Sequence, residues 1–462
     1  MLRSGKVHKK GDRGGIMKKE TYDVIIVGGG ITGASLLYTL TRYTDIKRIL
    51  LLEKYDDLAT LNSNSRNNAQ TLHFGDIETN YSLEEAARIK NEAERVLRYF
   101  KMQEPKARNG AIKRCQKMVL GIGSEEIEFL DELYKTRLKK LFPSSMKLER
   151  KDIARLEPYV VRKRQKDEEI GALLSKTGYM VDFGKMTHMF ASQAESEGGD
   201  RVRVLFNARV MGMERKGSEY RVYTPRNEYF SRFVVFATGS YSLYFAKSIG
   251  IDKNLSILSV GGGFYTSKRV LNGKVYRVQK GGIPFAAVHG DPDIADKNIT
   301  RFGPTVNIPP MLEKKHLNTV IDYIKTFDFD MPTMVSLEKI LFNKDIKKII
   351  ANNIGYGIPV IGKYSFLKKE ASRIVPSLKY GNLKLHGDIG GIRPQMIDED
   401  KHSLVLGAGK IKHDGVIFNI TPSPGASSCL ANSLKDMQYI SDYLGEEFNK
   451  SKYEAELGKI SA

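Results

Sequence analysis

The sequence predicts an α/β protein built around a Rossmann-like dinucleotide-binding domain, and three observations lead to that prediction. The first is VIIVGGGITGASLLYTL at 24–40, where an apolar strand runs into a glycine turn and then into a helical pattern. The second is RILLLEKY at 48–55, a further strand that ends in an acidic residue. The third is that segments of this strand–turn–helix type recur far apart along the chain, which indicates a domain interrupted by insertions.

The glycine turn has the G-x-G-x-x-G spacing of a dinucleotide fingerprint. In this motif Gly28 permits a tight turn, Gly30 lets a pyrophosphate approach the backbone, and Gly33 lets the helix pack on the strand. The helix N-terminus then offers N–H groups to the phosphates. Glu53 follows Gly33 by 20 residues, where an acid accepts hydrogen bonds from ribose hydroxyls. The motif predicts six nucleotide-binding residues and leaves FAD and NAD open: Gly28, Gly30, Thr32, Gly33, Glu53 and Lys54.

The arrangement of segments along the chain favours FAD. A small NAD dehydrogenase completes its nucleotide domain in one contiguous block, whereas here the pattern is interleaved with other material. We therefore expect a FAD-binding Rossmann-like domain assembled from three separated segments, plus an α+β substrate domain. The predicted boundaries are 20–85, 175–255 and 378–450 for the FAD-binding domain, 86–174 and 256–377 for the substrate or cap domain, and 1–19 for a disordered basic extension.

Composition narrows the class of protein and its partners. Cys115 and Cys429 are the two cysteines of the 462 residues, too few for a disulfide framework or a metal cluster, which fits a reducing cytoplasm and no metal. No run of apolar residues approaches 18, so we expect no membrane-spanning helix. The net charge of +20 comes from scattered Lys and Arg rather than a basic patch mixed with aromatics. This favours an anionic substrate or an anionic membrane surface over nucleic acid.

Four further stretches carry a resemblance to a known family: SNSRNNAQTLHFG at 63–75, FVVFATGS at 233–240, GGIRPQ at 390–395 and SPGASSCL at 423–430. Together with the glycine turn they resemble the FAD-dependent oxidoreductases of the D-amino-acid-oxidase superfamily, and most of all the malate:quinone oxidoreductase family. The similarity covers nearly the whole chain after Met17. One departure is that the family's Trp-Asn-Asn loop reads Arg66-Asn67-Asn68 here. Relatives that act on 2-hydroxyglutarate share much of this loop and a strand like Val288-His289.

The resemblance implies FAD as cofactor and an enzyme of the tricarboxylic acid cycle that oxidises (S)-malate to oxaloacetate. Hydride would pass to flavin N5 and electrons to a membrane quinone, with the protein peripheral on the inner face of the cytoplasmic membrane. The alternative is a FAD enzyme for another 2-hydroxy acid, such as 2-hydroxyglutarate, or for an amino acid, with oxygen as a possible acceptor. The residues that the family pattern adds to the FAD site are Ser65, Asn68, Ala237, Gly239, Gly391, Pro424, Gly425, Ala426 and Ser427.

Oxidation of a 2-hydroxy acid requires a carboxylate clamp and a base for the hydroxyl proton. Arginine is the natural clamp because its planar guanidinium can hold a carboxylate bidentately, and Arg393 and Arg301 are the candidates. Histidine suits the base because its pKa lies near neutrality. We expect His289 to be the base or a substrate ligand and His73 to lie beside the flavin. Five further side chains are candidate substrate ligands, the tyrosines having core packing as their alternative: Gln70, Tyr265, Gln279, Tyr356 and Gln395.

Overall fold

A computed structural model describes residues 20–252, 254–279, 288–327, 331–342, 356, 360–386, 389–405, 409–421 and 425–460. The predicted basic extension at 1–19 lies outside the described residues. Within the described part of the chain, no helix combines the length and the apolar character needed to cross a membrane.

The described strands form two large sheets and one short antiparallel pair, Ile112–Arg114 with Tyr179–Val181. In chain order they are β1 (Glu20–Val27), β2 (Ile49–Leu52), β3 (Ile112–Arg114), β4 (Lys117–Ile122), β5 (Met146–Glu149), β6 (Ile170–Ser175), β7 (Tyr179–Val181), β8 (Val202–Leu205), β9 (Gly212–Lys216), β10 (Glu219–Tyr223), β11 (Glu228–Phe236), β12 (Leu255–Lys268), β13 (Lys274–Arg277), β14 (His289–Pro292), β15 (Ile299–Asn307), β16 (Lys384–His386), β17 (Ile392–Asp398), β18 (Ser403–Val405), β19 (Gly409–His413) and β20 (Val416–Ile420).

The α-helices cover the faces of these sheets and connect their strands. Their bounds are Ile31–Tyr43, Leu83–Met102, Pro105–Arg108, Ser124–Leu133, Lys139–Leu141, Arg150–Leu156, Pro158–Val161, Phe183–Gly198, Tyr241–Ser248, Val320–Ile324, Met331–Phe342, Ile361–Phe366, Ser372–Ile374, Cys429–Leu444 and Lys450–Leu457.

The first sheet has a parallel centre in the order β8-β2-β1-β11-β20. Strands β1 and β2 come from the first predicted segment, β8 and β11 from the second, and β20 from the third. The α/β fold with one Rossmann-like sheet assembled from three separated segments is therefore confirmed, while the exact domain boundaries stay a prediction. Strand β1 is central because its apolar run is buried on both faces, as parallel strands covered by helices require. Val24 and Ile26 belong to one core cluster, and Ile25 and Val27 to the other.

The helix Leu83–Met102 packs on this first sheet's core. The helix is capped at its start, because the Ser82 hydroxyl accepts a hydrogen bond from the Glu85 N–H at 3.0 Å. Its buried residues, among them Val96 and Tyr99, share a core cluster with β1. The sequence predicts a substrate domain that begins at 86, whereas the apolar face of this helix packs in the core of the first sheet.

The second sheet is mixed, in the order β18-β17-β12-β15-β14-β13-β4-β6-β5, with β16 added beside β12. Its long strand β12 pairs antiparallel with both β15 and β17. Strand β17 begins within the GGIRPQ stretch and contains Arg393, which pairs with Val260 of β12, so this sheet holds Arg393 at a fixed position.

Candidate active site

A cavity of about 410 Å³ lies where the parallel strands of the first sheet end. It is lined by the residues that close or directly follow four of these strands: Val27, Leu52, Ala237 and Thr421. Because the carboxyl ends of parallel strands meet at one edge of a sheet, all three separated segments contribute to this cavity.

The glycine turn approaches its neighbours so closely that side chains are excluded. Gly28 adopts a φ of 108°, and a Cβ there would stand 2.6 Å from the Ala237 carbonyl oxygen. A Cβ on Gly33 would stand 2.0 Å from the Gly28 carbonyl oxygen. These are the close approaches that the fingerprint predicts, and they leave backbone N–H groups facing the cavity.

Glu53 lines the cavity and also braces the turn. Its carboxylate accepts hydrogen bonds from the Gly29 N–H at 2.7 Å and the Tyr55 N–H at 2.9 Å. Burial raises the pKa of Glu53, with these backbone bonds acting in the opposite direction. Lys54 lines the cavity as well and pairs with Glu313. The acid therefore fixes the glycine turn while it remains available to ribose hydroxyls.

The Ser/Asn-rich loop clasps the turn that carries Arg393. The Asn62 side-chain amide donates to the Ile392 carbonyl at 2.6 Å and accepts from the Ile392 N–H at 3.1 Å. The Asn67 side chain accepts from the Gly390 N–H at 3.2 Å. A Cβ on Gly391 would stand 2.4 Å from the Asn62 oxygen, so this turn needs glycine. Residues more than 320 positions apart are thereby held together.

Arg393 presents a positive charge to the cavity. Its side chain lines the cavity and is partly buried, and burial lowers its pKa, although an arginine remains protonated in proteins. Among the residues that the structure describes, its guanidinium has no hydrogen-bond or ion-pair partner. A desolvated cation without a partner is costly, so this charge is suited to an anionic ligand.

His73 lines the same cavity, as predicted for a residue beside the cofactor. Its backbone N–H donates to the Ser427 hydroxyl at 3.0 Å, and its Nδ1 contacts the Glu78 carboxylate. Burial raises the pKa of Glu78, but the charge and hydrogen bond of His73 outweigh it and lower the pKa to about 2. An ionised Glu78 thus orients the imidazole ring.

Arg301 and His289 require a correction, because neither lines the cavity. The Arg301 guanidinium is buried, donates to the Ser65 and Asn68 carbonyls at 3.2 and 2.8 Å, and lies 3.4 Å from Asp293. Arg301 therefore holds the Ser/Asn-rich loop in place from outside the cavity. His289 is buried on strand β14, 3.0 Å from the Asp291 carboxylate. Arg301 is thus bound by distant loop carbonyls and Asp293, and His289 is paired with a carboxylate on its own strand.

Of the five predicted substrate ligands, Gln70 lines the cavity and the other four do not. Gln70 lines the cavity, but its amide is engaged by Asp293 at 3.0 Å and by the Ile294 N–H at 2.9 Å. Tyr265 donates to the Tyr356 carbonyl at 2.7 Å, and both belong to a core cluster of the second sheet. The core-packing alternative therefore describes these tyrosines. Gln279 and Gln395 lie outside the cavity lining.

Most of the predicted cofactor residues converge. Those that line the cavity are Gly28, Gly30, Thr32, Glu53, Lys54, Asn68, Ala237, Gly239, Gly391, Gly425, Ala426 and Ser427. Gly33 acts behind the turn, Ser65 contributes its carbonyl to Arg301, and Pro424 lies outside the described residues. Sequence reasoning missed Ser63, whose hydroxyl accepts from the Ile31 N–H at 2.9 Å at the helix start. Its place in the Ser/Asn-rich loop was the available signal.

Comparison with known proteins agrees with this geometry. Residues 23–431 match the family model described as DAO, FAD dependent oxidoreductase. The chain is 40% identical to a probable malate:quinone oxidoreductase of Campylobacter jejuni, over 96% of this chain and 100% of that protein. It is 36% identical to the malate:quinone oxidoreductase of Helicobacter pylori, over 94% and 98% of the two chains.

The chain belongs to the malate:quinone oxidoreductase family of FAD-dependent oxidoreductases. Among solved structures, the dithionite-reduced L-α-glycerophosphate oxidase of Mycoplasma pneumoniae with FAD bound shares the fold, with a TM-score of 0.63 and 18% identity. That likeness covers 93% of this chain and 96% of the other. The cofactor is FAD, and the residues present fit it: the glycines leave no room for a Cβ, and Glu53 and the helix N-terminus lie on one cavity.

Proposed function

We propose that this chain oxidises (S)-malate to oxaloacetate at the cavity between the glycine turn and Arg393, and passes the electrons to a quinone. The observation that carries the proposal is Arg393 itself, a partly buried cation without a partner among the described residues, on the cavity that fits FAD. The family membership supports this choice of substrate over other 2-hydroxy acids.

Arg393 is proposed to bind a malate carboxylate through two parallel N–H···O bonds, which fixes both the position and the orientation of the substrate. The GGIR turn is held by Asn62 and Asn67, so the clamp is positioned before the substrate arrives. Preorganisation of this kind reduces the entropy lost on binding and aligns C2 for reaction.

His73 is proposed to accept the proton of the malate hydroxyl. When bound, FAD supplies the acceptor for the hydride from malate C2 and delivers two electrons to the quinone. As the C2–H bond breaks, the hydroxyl loses its proton to His73 and the C2 carbonyl of oxaloacetate forms. Glu78 is ionised beside His73 Nδ1 and stabilises the imidazolium that results.

Because a quinone is soluble in lipid, we propose that the protein lies peripherally on the inner face of the cytoplasmic membrane. Its net charge of +20 suits the anionic headgroups of that surface. Electrons would then reach the quinone without the enzyme entering the bilayer.

Anaerobic mixing of the FAD-loaded protein with a panel of acids tests the proposal. The panel contains (S)-malate, (R)-malate, (S)-2-hydroxyglutarate, lactate and an amino acid, and the measurement is the loss of flavin absorbance. We expect rapid bleaching by (S)-malate and restoration of the absorbance by a soluble quinone. Faster bleaching by 2-hydroxyglutarate or an amino acid, or reoxidation by oxygen with peroxide release in place of quinone, would favour the alternative instead.

A further inference from the structure

The most exposed large apolar side chains of the described residues concentrate in two short stretches. Leu317, Ile321, Val360 and Ile361 are 74%, 64%, 68% and 69% exposed. Ile324 and Tyr364, in the same two stretches, are also exposed. Single exposed apolar residues are ordinary on protein surfaces, but a concentration of six requires an explanation.

In the first stretch the exposed residues lie on one face of a helical segment. Leu317, Ile321 and Ile324 are spaced i, i+4 and i+7 across the 3₁₀ turn at 317–319 and the helix Val320–Ile324. The opposite face is anchored by Tyr323, which is buried in the second core cluster. The segment is therefore amphipathic, with its second apolar face directed away from the protein.

The second stretch repeats this arrangement. Val360, Ile361 and Tyr364 are exposed at the start of the helix Ile361–Phe366, while Phe366 is buried and stacks on Tyr265 with ring centroids 4.5 Å apart. Here too, one side of a short helix is fixed in the core and the other side carries apolar groups to the surface.

Both segments are anchored near strand β12 of the second sheet. Ile257 of this strand shares a core cluster with Tyr323, and Tyr265 of the same strand stacks on Phe366. We call the outward sides of the two helical segments together the apolar face: Leu317, Ile321, Ile324, Val360, Ile361 and Tyr364.

Lysines accompany the apolar face. Exposed lysines flank it at 315, 368 and 369, whereas Lys325 pairs with Asp322 at 3.6 Å. The acidic residues nearby are engaged within the protein: Glu313 pairs with Lys54 and Tyr55, and Glu370 accepts from the Tyr356 hydroxyl at 3.1 Å. Apolar side chains surrounded by lysines are typical of segments that lie in the interface of an anionic bilayer.

We propose that the apolar face docks on an anionic lipid bilayer, with its six apolar side chains in the boundary between headgroups and acyl chains and its lysines among the headgroups. The inference rests on the proposed function, because a lipid-soluble acceptor requires contact with the membrane. It adds which surface makes that contact. Asp322 and Lys325 of the first segment line the FAD cavity, so the docked segment borders the cofactor site.

Vesicle flotation of the FAD-loaded protein tests the proposal. The vesicles contain equal parts of phosphatidylcholine and phosphatidylglycerol, or phosphatidylcholine alone. We expect binding to the anionic vesicles that high salt weakens, and at least tenfold weaker binding for two variants: Leu317→Ser/Ile321→Ser/Ile324→Ser and Val360→Ser/Ile361→Ser. The matched control, Phe129→Ser/Met146→Ser, removes two exposed apolar side chains elsewhere and is expected to bind like the unaltered protein.

Two further readouts separate the outcomes. Malate-dependent reduction of a soluble dye, together with the thermal midpoint, is expected to be unchanged in all variants, and its failure in the unaltered protein would contradict the proposed function rather than the docking surface. Vesicle binding that both variants retain would overturn the proposal. Light scattering that shows a dimer in the unaltered protein and monomers in the variants would assign the face to a second copy of the chain instead.

Discussion

In the two histidine–carboxylate pairs His73–Glu78 and His289–Asp291, only His73 lines the cofactor cavity. His73, paired with Glu78, lines the cavity and faces the site of reaction. His289, paired with Asp291, is buried on strand β14 of the second sheet and stacks on Tyr276 with ring centroids 4.4 Å apart. We therefore propose proton transfer for the first pair, whereas the second pair belongs to the internal structure of the protein.

At the first pair, Glu78→Gln tests the role of the carboxylate. The lowered pKa of Glu78 means that it is ionised throughout the working range, and its carboxylate contacts Nδ1 of His73. Removing that charge is expected to lower kcat for malate at least about tenfold with the FAD content unchanged, because the imidazole loses the carboxylate that orients it and stabilises the charge it gains. The measurement is dye-linked turnover together with the flavin absorbance of the purified variant. Unchanged turnover in the FAD-loaded variant would rule out a role of this pair in proton transfer.

At the second pair, Asp291→Asn tests a structural role. Burial raises the pKa of Asp291, but His289 and Lys274 outweigh it and lower the pKa to about 2. The stability that this carboxylate contributes is therefore present above its unfolded pKa near 4 and is lost as pH falls through about 2. We expect the variant to lose about 3 kcal/mol of unfolding free energy near neutral pH, because Lys274 stays buried without its partner.

Urea denaturation provides the check on this second pair. The difference between variant and unaltered protein should be largest near neutrality and shrink below about pH 4. Equal stability of the two proteins at neutral pH would show that the buried pair does not support the fold.

At the scale of elements, the decisive contact joins the Ser/Asn-rich loop to the GGIR turn. Asn62 meets the Ile392 backbone with one donor and one acceptor, so Asn62→Asp would place a carboxylate oxygen against the Ile392 carbonyl, 2.6 Å from the present amide nitrogen. A lost hydrogen bond with repulsion costs about 2 kcal/mol. We therefore expect FAD to bind the apoprotein at least about tenfold more weakly, as measured by fluorescence titration.

The neighbouring Asn64 provides the matched control. Its side-chain oxygen only accepts, from the Arg66 N–H at 3.1 Å, so Asn64→Asp preserves the bond. Equal weakening by both substitutions would mean that general loop damage, and not the clasp, explains the loss.

The sequence predicts features that depend on local motifs better than features that depend on distant contacts. The glycine turn and Glu53 belong to one short motif, and the spacing of that motif predicted them. Arg301 and Tyr265 were misplaced because their partners are distant: the loop carbonyls near Asn68 and the Tyr356 carbonyl. The type of a residue and its local pattern do not reveal which distant backbone oxygen will accept its hydrogen bond.

At the scale of the whole molecule, the fold brings a parallel sheet and a mixed sheet together around one cavity. The carboxyl edge of the first sheet lines the cofactor cavity, and strand β17 of the second sheet places Arg393 on the same cavity. Three segments, separated along the chain by 86–174 and 256–377, are needed to complete the site, which explains why the interleaved order of the sequence favoured FAD over NAD.

The most direct test is a spectral titration of the oxidised, FAD-loaded enzyme with succinate, a dicarboxylate that lacks the hydroxyl group and is not oxidised. If Arg393 shares a cavity with the flavin, succinate should perturb the flavin absorbance saturably. Arg393→Gln should then require at least about tenfold more succinate, since it loses a charge-assisted bond, while the exposed control Arg226→Gln should not. A flavin spectrum indifferent to succinate, or an unchanged dissociation constant in Arg393→Gln, would contradict the account.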